Sequence, residues 1–214
     1  DMRDLAHWIK SADIQTVLFN VQDYHDPNGK GNEVFSKLFF TLYHLSRGFN
    51  PFNITMAQIV EKQLERAGMM QEFKNRILEE VGFDWDTQSQ DVILAMPDTV
   101  AKIAHELVPA LNEDSIRAHI EANDYNLSVA SLITELNDYV KNKGENYRLI
   151  FFVDEVSQFI SKDRRLLLEL QSIIETLNQE VGRRIWVACT SQQELKEVIS
   201  DCGVSNNSED YGKI

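Results

Sequence analysis

Three short apolar runs, each followed by polar residues, most constrain what this chain can fold into. They are residues 15–21, 149–153 and 185–189, and their length and β-branched content are typical of buried parallel strands. The second and third runs are separated by residues 165–181, where a wide leucine and isoleucine stripe predicts a helix. Because a strand, a helix and a strand in this order predict a right-handed parallel crossover, we expect an α/β fold with at least three parallel strands.

The segment of residues 55–143, between the first two runs, shows helical periodicity almost throughout. Thr55 and Gln58 have the spacing of a capping box at its start. The periodicity predicts helices at residues 33–46, 57–67, 70–81, 91–107 (interrupted by Pro97), 114–122 and 129–140. We therefore expect residues 1–54 and 146–214 to form an incomplete α/β core, with residues 55–145 as a helical insert between its first two strands.

Charge and composition exclude several classes of protein. The chain of 214 residues has 21 basic and 34 acidic residues, a net charge of −13. Residues 55–145 hold 8 basic and 17 acidic residues, a net −9, which argues against DNA contact through this segment. No apolar run approaches the eighteen residues of a membrane span, so we expect a soluble, cytoplasmic protein.

Polar residues follow all three predicted strands. Because the carboxyl ends of parallel strands meet at one edge of a sheet, these residues should converge on one site. They are Asn20, Gln22 and Asp23 after the first run, Asp154 and Glu155 after the second, and Thr190 to Gln193 after the third.

Asp154 and Glu155, directly after four apolar residues, resemble the Walker B motif of P-loop NTPases. In that motif the first carboxylate holds a Mg²⁺-bound water, and the second polarises the water that attacks the γ-phosphate. The alternative is a strand that ends in solvated carboxylates or caps the next helix.

The residues after the third strand resemble the sensor-1 position of the same superfamily, a small polar residue that reaches the γ-phosphate. Thr190 and Ser191 both match in spacing and type, while Gln192 or Gln193 could instead orient the attacking water. The alternative is that Thr190 and Ser191 cap a helix at residues 193–200.

The phosphate-binding loop of P-loop enzymes is missing from the sequence. No Gly-x-x-x-x-Gly-Lys-Ser/Thr occurs, and Gly29-Lys30-Gly31 lacks both the preceding glycine and the following hydroxyl. Either the protein is not a nucleotide enzyme, or the chain is a piece excised after the loop. The opening residues, which resemble the end of a helix, and the end at Ile214 favour excision.

A more specific resemblance rests on three stretches, residues 150–160, 170–175 and 184–193. They resemble the large P-loop ATPase of bacterial BREX phage-exclusion systems, the BrxC/PglY type. The resemblance covers most of the chain and is strongest over residues 148–195. It implies an AAA+-related ATPase with strand order 5-1-4-3-2, of which the three runs would be strands 2, 3 and 4.

The same resemblance implies roles for the site residues. Asp154 would bind the Mg²⁺ of an ATP-Mg²⁺ cofactor, Glu155 would be the catalytic glutamate, and Thr190 or Ser191 would be sensor 1. The paired arginines at 164–165 and 183–184 are candidates for an arginine finger, or are simply solvated.

The partners implied are other phage-defence proteins or neighbouring subunits. Without the phosphate-binding loop, the isolated chain is expected to be inactive. Two other interpretations remain open: a non-enzymatic protein-interaction module whose carboxylates are incidental, and a regulatory AAA+ or signalling NTPase of another branch.

Overall fold

The computed structural model describes residues 10–21, 33–122, 125, 127–161, 163–193 and 197. The chain divides into two compact units. The described residues up to Phe39 and from Leu127 onward form the sheet unit, and those from Phe40 to Tyr125 form the helical unit. Gln22, Asp23 and most of the helix predicted at 193–200 lie outside the described residues, so those predictions are not addressed.

The sheet consists of three parallel strands, β1 (Asp13–Asn20), β2 (Tyr147–Asp154) and β3 (Ile185–Cys189). The strand order is β1-β2-β3, so the central strand is the second in the sequence. The register aligns the ends of the first two strands, with Asn20 opposite Asp154. The α/β class and the three parallel strands predicted from the sequence are confirmed.

The helices of both units agree with most of the predicted boundaries. In chain order they are α1 (Val34–Ser46), a π-helix (Met56–Glu61) continued by α2 (Lys62–Arg66), α3 (Met70–Val81), α4 (Trp85–Ala95), α5 (Pro97–Leu107), α6 (Glu113–Ala122), α7 (Val129–Lys141), α8 (Val156–Ile160) and α9 (Arg164–Glu180). Pro97 begins α5 rather than interrupting one long helix, because the first helical position needs no N–H donor.

One face of the sheet is covered by helices. Alternate residues of β2, from Tyr147 to Val153, are buried on this face. Phe151 packs edge-on against Phe39 of α1, with ring centroids 5.1 Å apart. Helices α7 and α9 also pack on β2 and β3, respectively. The core of the sheet unit therefore lies between one face of the sheet and these three helices.

A carboxylate of α9 fixes the start of α1. Glu169 accepts hydrogen bonds from the backbone N–H groups of Phe35 (3.2 Å) and Ser36 (2.9 Å) and from the Ser36 hydroxyl (3.0 Å). These N–H groups belong to the first turn of a helix and have no partner within it. The negative charge also complements the positive end of the helix dipole. Glu169 thus links α9 to the start of α1 by hydrogen bonds.

The helical unit has an apolar core with a buried polar network beside it. Fully buried Glu61 accepts hydrogen bonds from Trp85 Nε1 and from the backbone N–H of Asn50, both at 2.7 Å. The Trp85 ring packs edge-on against Phe73, 4.9 Å between centroids. Such a network keeps the buried carboxylate paired, which a buried charge requires.

The predicted capping box at Thr55 and Gln58 is wrong. Thr55 has helical backbone angles and makes no capping bond; its hydroxyl accepts a hydrogen bond from the N–H of Tyr125 at 3.0 Å. Asn53 caps this helix instead, because its side-chain oxygen Oδ1 accepts a hydrogen bond from the N–H of Met56 at 2.8 Å. The Gln58 amide lies 2.9 Å from Nε2 of buried His44.

The two observed units differ in extent from the predicted core and insert. The prediction placed residues 129–140 in the insert, whereas α7 packs against β2 and α9 in the sheet unit. Helix α1 begins in the sheet unit and ends in the helical unit, since the division falls after Phe39. None of the helices in the described part of the chain has the length and apolar content needed to cross a membrane.

Candidate functional site

The site lies where β2 and β3 end, at the same edge of the sheet. The backbone pairing of the two strands continues one residue past β3, because Thr190 N–H donates to the Val153 carbonyl at 3.0 Å. The Thr190 hydroxyl then donates a hydrogen bond to Asp154 Oδ1. The sequence prediction that the ends of the second and third strands converge is therefore confirmed for these two residues.

Glu155 adopts the left-handed backbone conformation, with φ 61° and ψ 33°. This conformation costs a residue with a side chain on the order of 1 to 2 kcal/mol. Two acceptors hold it in place: Glu155 N–H points to both Asp154 Oδ1 and Thr190 Oγ1, each at 3.1 Å. The sharp turn lets the chain pass at once from β2 into α8, and strain of this kind is often found at functional sites.

The two oxygens of the Glu155 carboxylate have different surroundings. Oε1 accepts a hydrogen bond from Gln192 Nε2 at 2.8 Å. Oε2 is buried and has no hydrogen-bond partner among the described residues. One oxygen is thus held in position by Gln192, while the other lacks a hydrogen-bond partner among the described residues.

Ser191, the second candidate for the sensor position, makes a different contact. Its hydroxyl donates to the backbone carbonyl of Gln193 at 2.6 Å. Of the two candidates, the structure brings only Thr190 into contact with the carboxylates within the part of the chain that it describes.

Two of the four candidate arginines have partners within the sheet unit. Arg165 forms an ion pair with Asp163 at 2.8 Å, and its hydrogen bonds lower the pKa of that carboxyl group. Arg184 Nη2 donates to the carbonyls of Lys143 (3.2 Å) and Gly144 (2.7 Å). Arg164 lies beside Asp163 at the start of α9, and the Arg183 carbonyl accepts from Trp186 Nε1 at 2.9 Å. No arginine of these two pairs contacts the carboxylates of the site.

The carboxylates at the strand ends could hold a magnesium ion only together with ligands from outside the described residues. Within the described residues no group of three His, Cys, Asp or Glu side chains could hold a metal ion. Mg²⁺ in nucleotide enzymes is usually bound by one or two carboxylates, with water and phosphate oxygens as the other ligands. Asp154 is the residue at the strand ends that could supply such a single carboxylate.

A cavity of about 250 Å³ extends from the site beneath β3. Most of its wall is apolar and comes from α8, α9 and β3, including Ile160, Leu170 and Val187, while Thr190 and Ser191 line it as well. The Ser157 hydroxyl and Gln171 Oε1 on its wall are buried and have no hydrogen-bond partner among the described residues. Sequence reasoning did not find these two residues, because a lone Ser or Gln within an amphipathic helix carries no signal.

No protein-family model matches this chain, and no solved structure matches it.

Proposed function

We propose that this chain supplies the Walker B and sensor-1 elements of an ATP-hydrolysing, AAA+-related module of a bacterial BREX-type phage-defence ATPase. The observation that carries the proposal is the hydrogen bond from Thr190 to Asp154, with Glu155 held between them. If Asp154 and Glu155 were simply solvated residues at a strand end, we would not expect a hydrogen bond to Asp154 from the hydroxyl that follows the next strand. We would also not expect Glu155 to adopt an unfavourable left-handed conformation.

Each residue has a separate role in the proposed reaction. Glu155 would polarise the attacking water through its carboxylate, one oxygen of which, Oε2, has no hydrogen-bond partner among the described residues. Asp154 would help to hold the Mg²⁺ of ATP-Mg²⁺, and Thr190, which donates a hydrogen bond to Asp154, would fix the rotamer of that carboxylate and serve as sensor 1. The magnesium ion, when bound with ATP, neutralises negative charge on the phosphates.

The proposed function requires a phosphate-binding loop from outside these 214 residues, because the sequence contains none. Backbone N–H groups and the lysine of such a loop provide most of the attraction for phosphates. The isolated chain should therefore bind ATP-Mg²⁺ weakly or not at all, and calorimetric binding at micromolar affinity would contradict this part of the proposal. Reading the coding sequence upstream of Asp1 is the least costly check.

For partners, the proposal favours proteins over DNA. The net charge of −9 over residues 55–145 repels a phosphate backbone, whereas phage-defence proteins or neighbouring subunits could contact this segment. The proposal puts the protein in the bacterial cytoplasm.

The test uses the longer protein that includes the phosphate-binding loop, with ATP affinity and turnover measured on three variants. Asp154→Asn should weaken Mg²⁺-dependent ATP binding. Glu155→Gln should leave ATP affinity unchanged and reduce turnover by a factor of 100 or more, typical of the loss of a general base. Glu180→Gln at the exposed end of α9 is the matched control and should behave as wild type.

The result also separates the competing interpretations. Equal turnover of Glu155→Gln and wild type would refute the assignment of the catalytic glutamate. Normal ATP binding without measurable turnover in wild type would favour a regulatory NTPase. Absence of nucleotide binding in the longer protein would leave the non-enzymatic interaction module.

A further inference from the structure

The cavity of about 250 Å³ beneath β3 has an apolar wall without a charged group. Six aliphatic side chains from α8, α9 and β3 form most of this wall: Val156, Ile160, Leu167, Leu170, Ile174 and Val187. None of the described residues that line the cavity is acidic, basic or histidine. A charged molecule would lose its hydration there without gaining a partner of opposite charge, so the cavity suits a neutral molecule.

Gln171 of α9 brings an unpaired hydrogen-bond acceptor to this wall. Its amide Nε2 donates to Glu175 Oε1 at 2.8 Å. Because a carboxylate accepts hydrogen bonds, this contact determines which end of the Gln171 amide is nitrogen and which is oxygen. The amide oxygen Oε1 is buried and has no hydrogen-bond partner among the described residues. A molecule that satisfies this oxygen must offer an N–H or O–H group.

Ser157 of α8 brings a second unpaired polar group to the same cavity. Its side chain is only 3% exposed, and its hydroxyl also lacks a hydrogen-bond partner among the described residues. Serine within a helix often bonds to a carbonyl of the preceding turn, but this hydroxyl has no such bond. Buried polar groups are nearly always paired, so two unpaired groups on one cavity wall indicate a partner that enters the cavity.

We propose that this cavity binds a small, neutral molecule with an apolar ring system and one N–H or O–H donor. An apolar cavity of about 150 Å³ holds one benzene ring, so this larger cavity has room for roughly two fused rings, the size of indole. The aliphatic wall would contact the rings, and the donor would pair with Gln171 Oε1. The proposal does not depend on the proposed ATPase function.

The first test is calorimetric titration of the 214-residue chain with indole, which has an N–H donor. We expect saturable binding of one indole per chain with a dissociation constant below about 1 mM. The second probe is 1-benzothiophene, which has the same ring size but no donor. Absence of indole binding at millimolar concentration would overturn the proposal.

The substitution Gln171→Leu tests the hydrogen bond. We expect it to weaken indole binding by about 3- to 10-fold, because the N–H of indole loses its acceptor, and to leave 1-benzothiophene binding equal or stronger. The matched control is Gln179→Leu, an exposed glutamine of the same helix, which should bind both probes as wild type does. An equal effect of Gln171→Leu on the two probes, or no effect on either, would overturn the proposed ligand class.

A thiol-protection measurement on the protein with Gln171 intact shows where indole binds. Cys189 lines the cavity and is exposed, so in a Cys202→Ser protein its reaction with Ellman's reagent reports on that position. Saturating indole should slow this reaction several-fold, whereas the charged analogue indole-3-acetate at the same concentration should not. An unchanged rate at concentrations where calorimetry shows indole bound would place the molecule elsewhere and overturn the proposal. Equal protection by indole-3-acetate would contradict a preference for neutral molecules.

Discussion

The Thr190 hydroxyl donates a hydrogen bond to Oδ1 of Asp154, although the two residues lie 36 positions apart in the sequence. The contact joins the ends of β2 and β3, and it shares its acceptor with the N–H of Glu155. Because the Thr190 hydroxyl also accepts from that N–H, one side chain orients both the aspartate and the strained glutamate. The roles proposed for the three residues depend on this arrangement.

Replacing Thr190 by valine removes the hydroxyl without changing the shape of the side chain. The measurement uses the longer protein that includes the phosphate-binding loop, called the loop-containing protein below. We expect Thr190→Val to reduce its ATP turnover by 10-fold or more, because Asp154 and the Glu155 backbone each lose a hydrogen-bond partner. Thr190→Ser keeps the hydroxyl and should retain most of the turnover. Equal turnover of the valine and serine variants would show that the hydroxyl does not orient the site.

Glycine at position 155 should stabilise the sheet unit relative to alanine. The left-handed conformation of Glu155 is unfavourable for any residue with a Cβ atom, but not for glycine. We expect Glu155→Gly to have an unfolding free energy about 1 kcal/mol higher than Glu155→Ala, after glycine's larger entropy in the unfolded chain is counted. Urea unfolding followed by tryptophan fluorescence measures the difference on the isolated chain.

Position 172 provides the control for this comparison. Ser172 lies within α9 and is exposed, so glycine there should be less stable than alanine by about 1 kcal/mol. If the alanine variant were more stable than the glycine variant at position 155 as well as at position 172, the result would contradict a left-handed backbone at Glu155.

Stability of the helical unit should depend on the ionisation of Glu61. Burial raises the pKa of Glu61 to about 7. Smaller effects lower this pKa: the hydrogen bonds from Trp85 and Asn50, and the positive charges of Lys74 and Arg47. A folded-state pKa above the ordinary value of 4.5 means that the folded chain binds the proton more tightly. Protonation of Glu61 therefore stabilises the folded chain to its full extent below about pH 4.5, and this contribution is lost as the pH rises through about 7.

The comparison of wild type with Glu61→Gln isolates this contribution. From pH 5.5 to pH 8, we expect the unfolding free energy of wild type to fall by roughly 2 kcal/mol relative to that of Glu61→Gln. His44 titrates in the opposite sense, because burial lowers its pKa to about 3, but it is present in both proteins and cancels. A difference that does not change with pH would mean that Glu61 is ionised throughout this range.

The sequence was sufficient to predict the three parallel strands and the meeting of two strand ends. Apolar runs of strand length, a helix between the last two and polar residues after each run depend only on local patterns, and parallel strands must bring their carboxyl ends together. The convergence of Asp154 and Thr190 follows from these facts.

Features that depend on long-range contacts could not be predicted. Asn53 rather than Thr55 caps the π-helix, because the Thr55 hydroxyl is used by Tyr125, 70 residues away. Helix α7 belongs to the sheet unit because its apolar side packs on β2 and α9, and helical periodicity alone does not reveal which neighbour covers it. The left-handed backbone of Glu155 also leaves no sequence signal, since glycine is the residue expected there.

Glu155 is proposed to act on the water that attacks ATP, and the nucleotide that remains bound to the protein after incubation shows whether it does. The loop-containing protein and its Glu155→Gln variant are each incubated with ATP and Mg²⁺ and freed of unbound nucleotide, and the bound ATP and ADP are separated by chromatography. We expect mainly ADP on wild type and mainly ATP on Glu155→Gln, because a glutamine at this position should allow ATP binding without activating the water. Mainly ADP on the variant would contradict the claim.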